Sequence, residues 1–365
     1  MKFSILKRQA NAQDATDHRL YRFLLGSLVV GLMIGAIMQP QANAQEVNLY
    51  SARKEVLILP LLERFTQQTG IEVNIVTGKA DNLMKRLQLE GINSPADLLL
   101  TVDAGRLYRA VDAGLTQPII SDKIEQRLPA AYRDQDMHWV GLSMRARPIF
   151  YNREKILPGA LSTYQALTDK KWHKRVCIRS SGNIYNQSLV ASMVAHDGVE
   201  PARTWAAGLV DNFARRPQGG DTDQLMAVAA GECDVAIANS YYFAVMMNGA
   251  DKMKREAAQK IGLFWPNQSG DGVDGRGVHV NISGAVIAKS AKNYDSAVAL
   301  IEYLLSDEAQ RWYADTNGEY PVVETIEPSP LLKSWGSFKA DLVGFSKLGE
   351  LNPEAVKLMD RTGWK

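Results

Sequence analysis

The chain switches repeatedly between two hydrophobic periods, and that alternation limits the folds open to it. From residue 46 to 51 apolar side chains recur at every second position (Val47, Leu49), as on a half-buried strand. Leu57, Leu61, Leu62 and Phe65 then follow a helical spacing that stops at Gly70. Residues 71–76 alternate again, and Leu83, Met84 and Leu87 return to the helical period. Residues 96–101 form a short continuous apolar run, the pattern of a parallel strand buried on both faces, and residues 105–114 read as another helix. Strands that alternate with helices in this way predict an α/β layer with a largely parallel sheet.

A second alternation follows a long extended stretch at residues 141–151. Val176-Cys177-Ile178 reads as a strand, with a helix through Leu189 and Met193 after it. Further helices are predicted at about residues 201–214 and 222–230, the latter closing at Gly231. Residues 234–239 form the next strand, which runs straight into Ser240-Tyr241-Tyr242. Residues 278–289 are again extended, and residues 297–305 and 309–314 are helical. Two long crossings, near residues 145 and 283, predict two lobes joined twice by a hinge. The first α/β lobe would comprise residues 45–142 plus 283–325, the second residues 143–282 plus 326–365. No internal repeat or low-complexity tract interrupts the pattern.

Composition narrows the setting. With 365 residues, 46% hydrophobic and 22% charged, the chain is long enough for two separate cores. Residues 1–44 have the parts of a secretory signal: a basic stretch ending at Arg22, an apolar run over residues 23–38, and Ala42-Asn43-Ala44 as the cleavage site. The apolar run falls short of the roughly 20 residues that a spanning helix needs. Cleavage is predicted after Ala44, which makes the mature chain periplasmic. Without its basic leader the chain is close to neutral, and no basic run is interleaved with aromatics, so nucleic acid is excluded as a partner.

Export permits one disulfide between Cys177 and Cys233; two buried free thiols are the alternative. Two cysteines cannot make a zinc site, and His138, His173, His196 and His279 show no metal-ligand spacing with them. Ser180 and Ser181 lack a nucleophile elbow and a histidine partner, which argues against an enzyme.

Ligands of parallel α/β sheets bind beyond the carboxyl ends of the strands, and two features stand there in the second lobe. Ser180-Ser181-Gly182-Asn183 separates a strand from a helix, where backbone N–H groups and hydroxyls converge on an anion. Tyr241-Tyr242 directly follows a strand, with Tyr185 near the start of the helix after the first feature. In an irregular turn both adjacent hydroxyls would swing into one cleft. A phenol, whose pKa is near 10, is a poor ligand for weakly acidic cations, yet a small trivalent ion displaces its proton and holds the hard phenolate. Several phenolates together select Fe(III). The same pattern fits ordinary packing residues among 13 tyrosines, or aromatic walls for an organic ligand.

Four stretches carry a closer likeness. Asn48-Leu49-Tyr50-Ser51-Ala52-Arg53, the run from Val176 to Ser188, Asn212-Phe213-Ala214-Arg215 with Pro217-Gln218-Gly219-Gly220-Asp221, and the run from Gly231 to Tyr242 resemble the ferric-ion-binding proteins of ABC transporters, close to the FutA and FbpA groups. The resemblance spans the mature chain. It implies a type II periplasmic-binding-protein fold with hinge strands between the lobes, and Fe3+ held between them by Tyr185, Tyr241 and Tyr242. It also implies an inner-membrane ABC permease as partner, and a monomer.

Many relatives carry a His-Tyr pair where this chain has Lys54-Glu55, so those two ligands are absent. The open coordination positions then fall to a synergistic anion such as carbonate, to water, or to Glu55. An anion is favoured because three phenolates already neutralise Fe3+. Arg53, Arg145 or Arg215 and backbone donors around Ser181, Gly182 and Asn183 would offset its charge. The resemblance also places Cys177 and Cys233 on neighbouring strands, where a disulfide is geometrically possible. The same fold holding a different small ligand, an oxyanion or a polyamine, is the alternative.

Overall fold

A computed structural model describes residues 45–341 and 343–365. The predicted signal segment, residues 1–44, lies outside the described residues. Among those described, no helix is long and apolar enough to cross a membrane.

Five strands from the first half of the chain and two from later in it build a seven-stranded sheet. Strand β1 (Glu46–Ser51) pairs in parallel with β2 (Glu72–Thr77) on one side and β3 (Leu98–Val102) on the other, in register Tyr50↔Val76 and Tyr50↔Leu99. Helix α1 (Glu55–Thr69) connects β1 to β2 and buries Leu61, Leu62 and Phe65 as its sequence spacing predicts, with Ile58 buried in place of the expected Leu57, which is half-buried. It stops where Gly70 turns left-handed with φ 74° and donates its N–H back to Thr66. Helix α2 (Ala80–Glu90) connects β2 to β3, and α3 (Ala104–Asp112) follows β3.

Strand β10 (Val278–Ala288) extends this sheet in the antiparallel sense. It pairs with β3 through Ala285↔Leu100 and with β5 (Val140–Ala146) through Asn281↔Arg145; β4 (Thr116–Gln117) and β11 (Ala340–Asp341) pair with its two ends. The second crossing is therefore a full member of a mixed sheet as well as a connector. All 11 of its residues are buried, and a buried strand must satisfy its backbone N–H and C=O groups with neighbours.

The second sheet is smaller, in the order β7-β8-β6-β9. Only Arg147 and Pro148 separate β5 from β6 (Ile149–Asn152), so the chain passes from one sheet to the other in two residues. Strand β7 (Val176–Cys177) runs parallel to β8 (Val235–Ile237), while β9 (Ile261–Phe264) closes the edge antiparallel to β6. Helices α4 (Ile184–Asp197), α5 (Val199–Asp211) and α6 (Asp221–Ala230) lie between β7 and β8 in sequence.

After β8 comes α7 (Ser240–Asn248), which the sequence does not announce. Its residues are apolar or aromatic all round, so no polar face marks a helical period. Cys177 ends β7, Cys233 lies just ahead of β8, and a disulfide joins them with their Cα atoms 5.8 Å apart. The bond sits in a cluster with Phe150, Leu225, Val228, Ala236 and Phe243. At the carboxyl end of the chain, α10 (Phe345–Glu350) packs on both α3 and α4, and α11 (Asn352–Arg361) packs on α4. Helices α8 (Tyr294–Leu304) and α9 (Asp307–Asp315) follow β10 in sequence.

Candidate metal centre

Tyr241 and Tyr242 occupy the first turn of α7, a regular helix rather than an irregular turn, and they come directly off the carboxyl end of β8. Their rings stack with centroids 4.1 Å apart and an interplanar angle of 30°, so two neighbours in sequence present their hydroxyls side by side. Tyr185 is in the first turn of α4, beyond the end of β7, and its hydroxyl lies 3.4 Å from that of Tyr241. Two strand–helix junctions of one lobe thus bring three phenols together.

The pocket around them discourages ionisation. Burial first, and then the neighbouring Tyr185, raise the pKa of Tyr241 well above the ordinary phenol value; the same two causes raise that of Tyr242, with Asp221 adding to the effect. Nearby cations act in the opposite sense, Arg145 on Tyr241 and Arg179 on Tyr242. The guanidinium carbons of Arg145, Arg147 and Arg179 lie 5.6, 5.9 and 5.6 Å from the centroid of the Tyr185 ring. A small cation that displaces the phenolic protons would exploit oxygens already gathered at one point.

Arg147 and Asp221 escape the sequence reading. Arg147 is buried in the two-residue link between the sheets and donates to Asn186 Oδ1 at 2.5 Å, Asn239 Oδ1 at 2.9 Å and Asp221 Oδ2 at 3.3 Å. Asp221, also fully buried, accepts the backbone N–H of Asn239 at 3.0 Å. This web ties the helix of Tyr185 to the strand end that launches Tyr241. Its only hint in the sequence is that Asp221 and Asn239 flank recognisable motifs; nothing local marks Arg147.

The other candidates separate into those at the cleft and those that are not. Arg145 donates to Ser283 Oγ at 2.6 Å and to the Ile282 carbonyl at 2.7 Å, both on β10. Arg53 reaches Glu319 Oε2 at 2.6 Å, and Ser143 Oγ donates to the same oxygen at 2.8 Å. Burial works against the charge of Arg53 and Glu319 supports it; the net shift is upward, and the nearby phenol of Tyr241 contributes to it. Among the described residues, Arg53 Nε and Nη1 have no hydrogen-bond partner although buried.

Ser181, Gly182 and Asn183 form the turn before α4. Gln187 Nε2 donates to the Ser181 carbonyl at 2.9 Å, and the buried Asn183 Oδ1 is unpartnered among the described residues. Glu55 is exposed at the start of α1 and accepts the Thr77 hydroxyl at 2.7 Å. Arg215 pairs with Glu232 at 3.2 Å. The structure gives neither of these two a contact with the tyrosines. Among the described residues no group of three or more His, Cys, Asp or Glu side chains could hold a metal ion.

Two α/β lobes linked by two crossings, with the three tyrosines presented at strand ends, define a two-lobed solute-binding protein of the type II periplasmic-binding-protein fold. The family described as bacterial extracellular solute-binding protein matches residues 61–340, and the chain belongs to it.

Its relatives are specific in kind. It is 47% identical over 329 residues to iron uptake protein A1 of Synechocystis, covering 90% of each chain. It is 25% identical to the major ferric iron-binding protein of Neisseria meningitidis, covering 93% of this chain and 99% of that one. Among solved structures, FutA of Trichodesmium in complex with iron and citrate superimposes with a TM-score of 0.83 at 48% identity, covering 88% of this chain and all of that one.

Proposed function

We propose that the chain is the periplasmic substrate-binding component of an iron(III) ABC importer, with Tyr185, Tyr241 and Tyr242 as phenolate ligands to Fe3+. The observation that carries this reading is the convergence of three phenol hydroxyls from two strand–helix junctions, Tyr185 Oη and Tyr241 Oη being 3.4 Å apart. The iron named for the Synechocystis, Neisseria and Trichodesmium relatives agrees with it.

Three phenolates balance the charge of Fe3+, and a synergistic anion, carbonate being the simplest, fills remaining positions. The unpartnered Nη1 of Arg53 would receive it, with the charge of Arg145 and backbone donors of the Ser181–Asn183 turn in support. Glu55 and Arg215, which engage Thr77 and Glu232, are left out of that role. Capture begins on the second lobe, where the phenols and Arg145 are, and hinge closure then brings Arg53 of the first lobe over the metal and excludes water. The closed shape is what the inner-membrane permease recognises. Cleavage after Ala44 delivers the chain to the periplasm as a monomer that binds and does no chemistry on its cargo.

Adding ferric citrate to purified mature protein tests this reading. A visible phenolate-to-iron charge-transfer band and a rise in melting temperature are expected, with neither produced by polyamines or by phosphate alone. A protein that stays colourless with ferric salt and melts higher with an amine or an oxyanion refutes the metal assignment.

A further inference from the structure

Asp103 ends β3 with φ 83°, in a left-handed region that residues with a β-carbon rarely enter. Its side chain is completely buried, and donors from three separate elements converge on it. Oδ1 accepts the backbone N–H of Gly105 in α3 at 2.9 Å and the hydroxyl of Ser188 in α4 at 2.8 Å. Oδ2 accepts Asn281 Nδ2–H, from the crossing strand β10, at 2.9 Å. The Asp103 backbone N–H donates to Ile282 O at 2.9 Å, and Asn281 Oδ1 accepts the Ala104 N–H at 2.8 Å, which locks this corner to β10.

The three elements have different mechanical roles. Helix α3 belongs to the first lobe, β10 is one of the two crossings, and α4 is the helix of the second lobe that opens with Tyr185. Ser188 lies three residues after Tyr185, one helical turn on, so a pull on Ser188 is a pull on the phenol's own helix. A backbone held in a sparsely populated conformation aims this carboxylate across the lobe boundary, a cost that the surrounding structure must offset.

We propose that Asp103 is an interlobe latch: a positioning residue that, by holding Ser188 against the crossing strand, stabilises the closed form and retards escape of the cargo. In its second arm the proposal rests on the reading of the chain as an iron-capturing protein; the first arm needs no metal. A hydrogen bond to a charged group has a net effect of about one power of ten or somewhat more in an equilibrium constant. The closed-to-open ratio of the metal-free protein should therefore fall about tenfold when the contact is lost.

Ser188→Ala removes only the interlobe hydroxyl from a helix that accepts alanine readily, and Asp103→Asn keeps the side-chain shape while removing the charge. Spin labels at Leu89 and Met253, both exposed, one on each lobe, report the interlobe distance by pulsed electron resonance with the native disulfide intact. Both single variants should populate a longer distance about tenfold more than the parent does. The double variant should go no further than the more affected single one. After ferric citrate loading, transfer of iron to a competing chelator should speed up about tenfold, with the rate of uptake little changed.

If Asp103→Asn does not fold, Ser188→Ala decides alone. Folded variants with the parent's distance distribution overturn the latch, and so does a parent already as open as they are. Should the parent take up no ferric iron, the iron reading fails while the distance measurement still decides the latch.

Discussion

Iron loading should deprotonate three phenols, and the energy of doing so follows from the site. Burial and the neighbouring Tyr185 hold Tyr241 and Tyr242 above the ordinary phenol pKa of about 10. At pH 7 each of these two is at least three units from ionisation, which at about 1.4 kcal/mol per unit is about 4 kcal/mol per proton, or about 8 kcal/mol for the pair. The metal must supply at least that much. As long as all three phenols are protonated in the free protein, each unit of acidification should weaken capture by about a thousandfold, ten per displaced proton.

The measurement is ultraviolet difference absorbance of tyrosinate on loading, paired with affinity at pH 6, 7 and 8 against one ferric chelate, so that the chelator's own protonation is common to every variant. The parent should show three phenolates, and each Tyr→Phe variant a slope of log affinity against pH that is smaller than the parent's by one. Tyr241→Phe and Tyr242→Phe should each show two phenolates and weaker, paler binding. Tyrosinate amplitude that is unchanged in Tyr241→Phe, or a loading signal with no tyrosinate at all, would refute the reasoning.

Two further outcomes concern the frame that holds the site. Replacing both Cys177 and Cys233 by Ala opens a loop of sequence separation 56, for which chain entropy gives about 4 kcal/mol, so the denaturant midpoint should drop and reductant should reproduce the drop in the parent. His279, buried on β10, has its pKa lowered to about 3, by burial first and by Arg147 and Arg145 next. The unfolded chain then takes up a proton below pH 6.5 that the folded chain refuses. This contribution to stability is complete above 6.5 and is lost as pH falls towards 3, amounting to about 2 kcal/mol by pH 5. Equilibrium unfolding at pH 7 and pH 5 should show a smaller difference in His279→Gln than in the parent by about that amount.

Much of this architecture is legible in the sequence because apolar period reports burial directly. The stripe Leu57, Leu61, Leu62, Phe65 with its Gly70 stop appears as α1, and the run at residues 96–101 as β3, since a strand buried on both faces needs no polar positions. The tyrosine pair was visible as two aromatics at a strand end. Its helix was not, because Phe243, Ala244, Val245 and Met246 leave α7 without a polar face to set a period. Contacts between distant residues have no local trace: Arg147 and Asp221 meet across 74 positions, and Asp103 and Ser188 across 85. Arginines illustrate the same limit, since sequence shows a guanidinium but not its partner; Arg145 turns to β10 while Arg215 turns to Glu232.

The charge around the phenols bears on which ligand such a cleft admits. Arg53, Arg145, Arg147 and Arg179 stand near Tyr185 or Tyr241, and the buried carboxylates that face them are Glu319, Asp103 and Asp221. The guanidiniums outnumber the carboxylates, so the cleft is cationic while its phenols are protonated. An amine entering it would meet like charge in a poorly screened setting, where Glu319 and Asp221 are already paired with Arg53 and Arg147. On the proposed reading a ferric ion differs, because it would expel the phenolic protons and be neutralised by the oxygens left behind. The surplus positive charge would then remain to hold an anion at the metal's open coordination positions. With Lys54 and Glu55 exposed at the start of α1, what the first lobe would offer the metal on that reading is the guanidinium of Arg53. On the proposed reading, Arg53 is the guanidinium that the first lobe adds to Arg145, Arg147 and Arg179 beside the phenols, so lobe closure would complete the surroundings of the anion and slow the escape of iron.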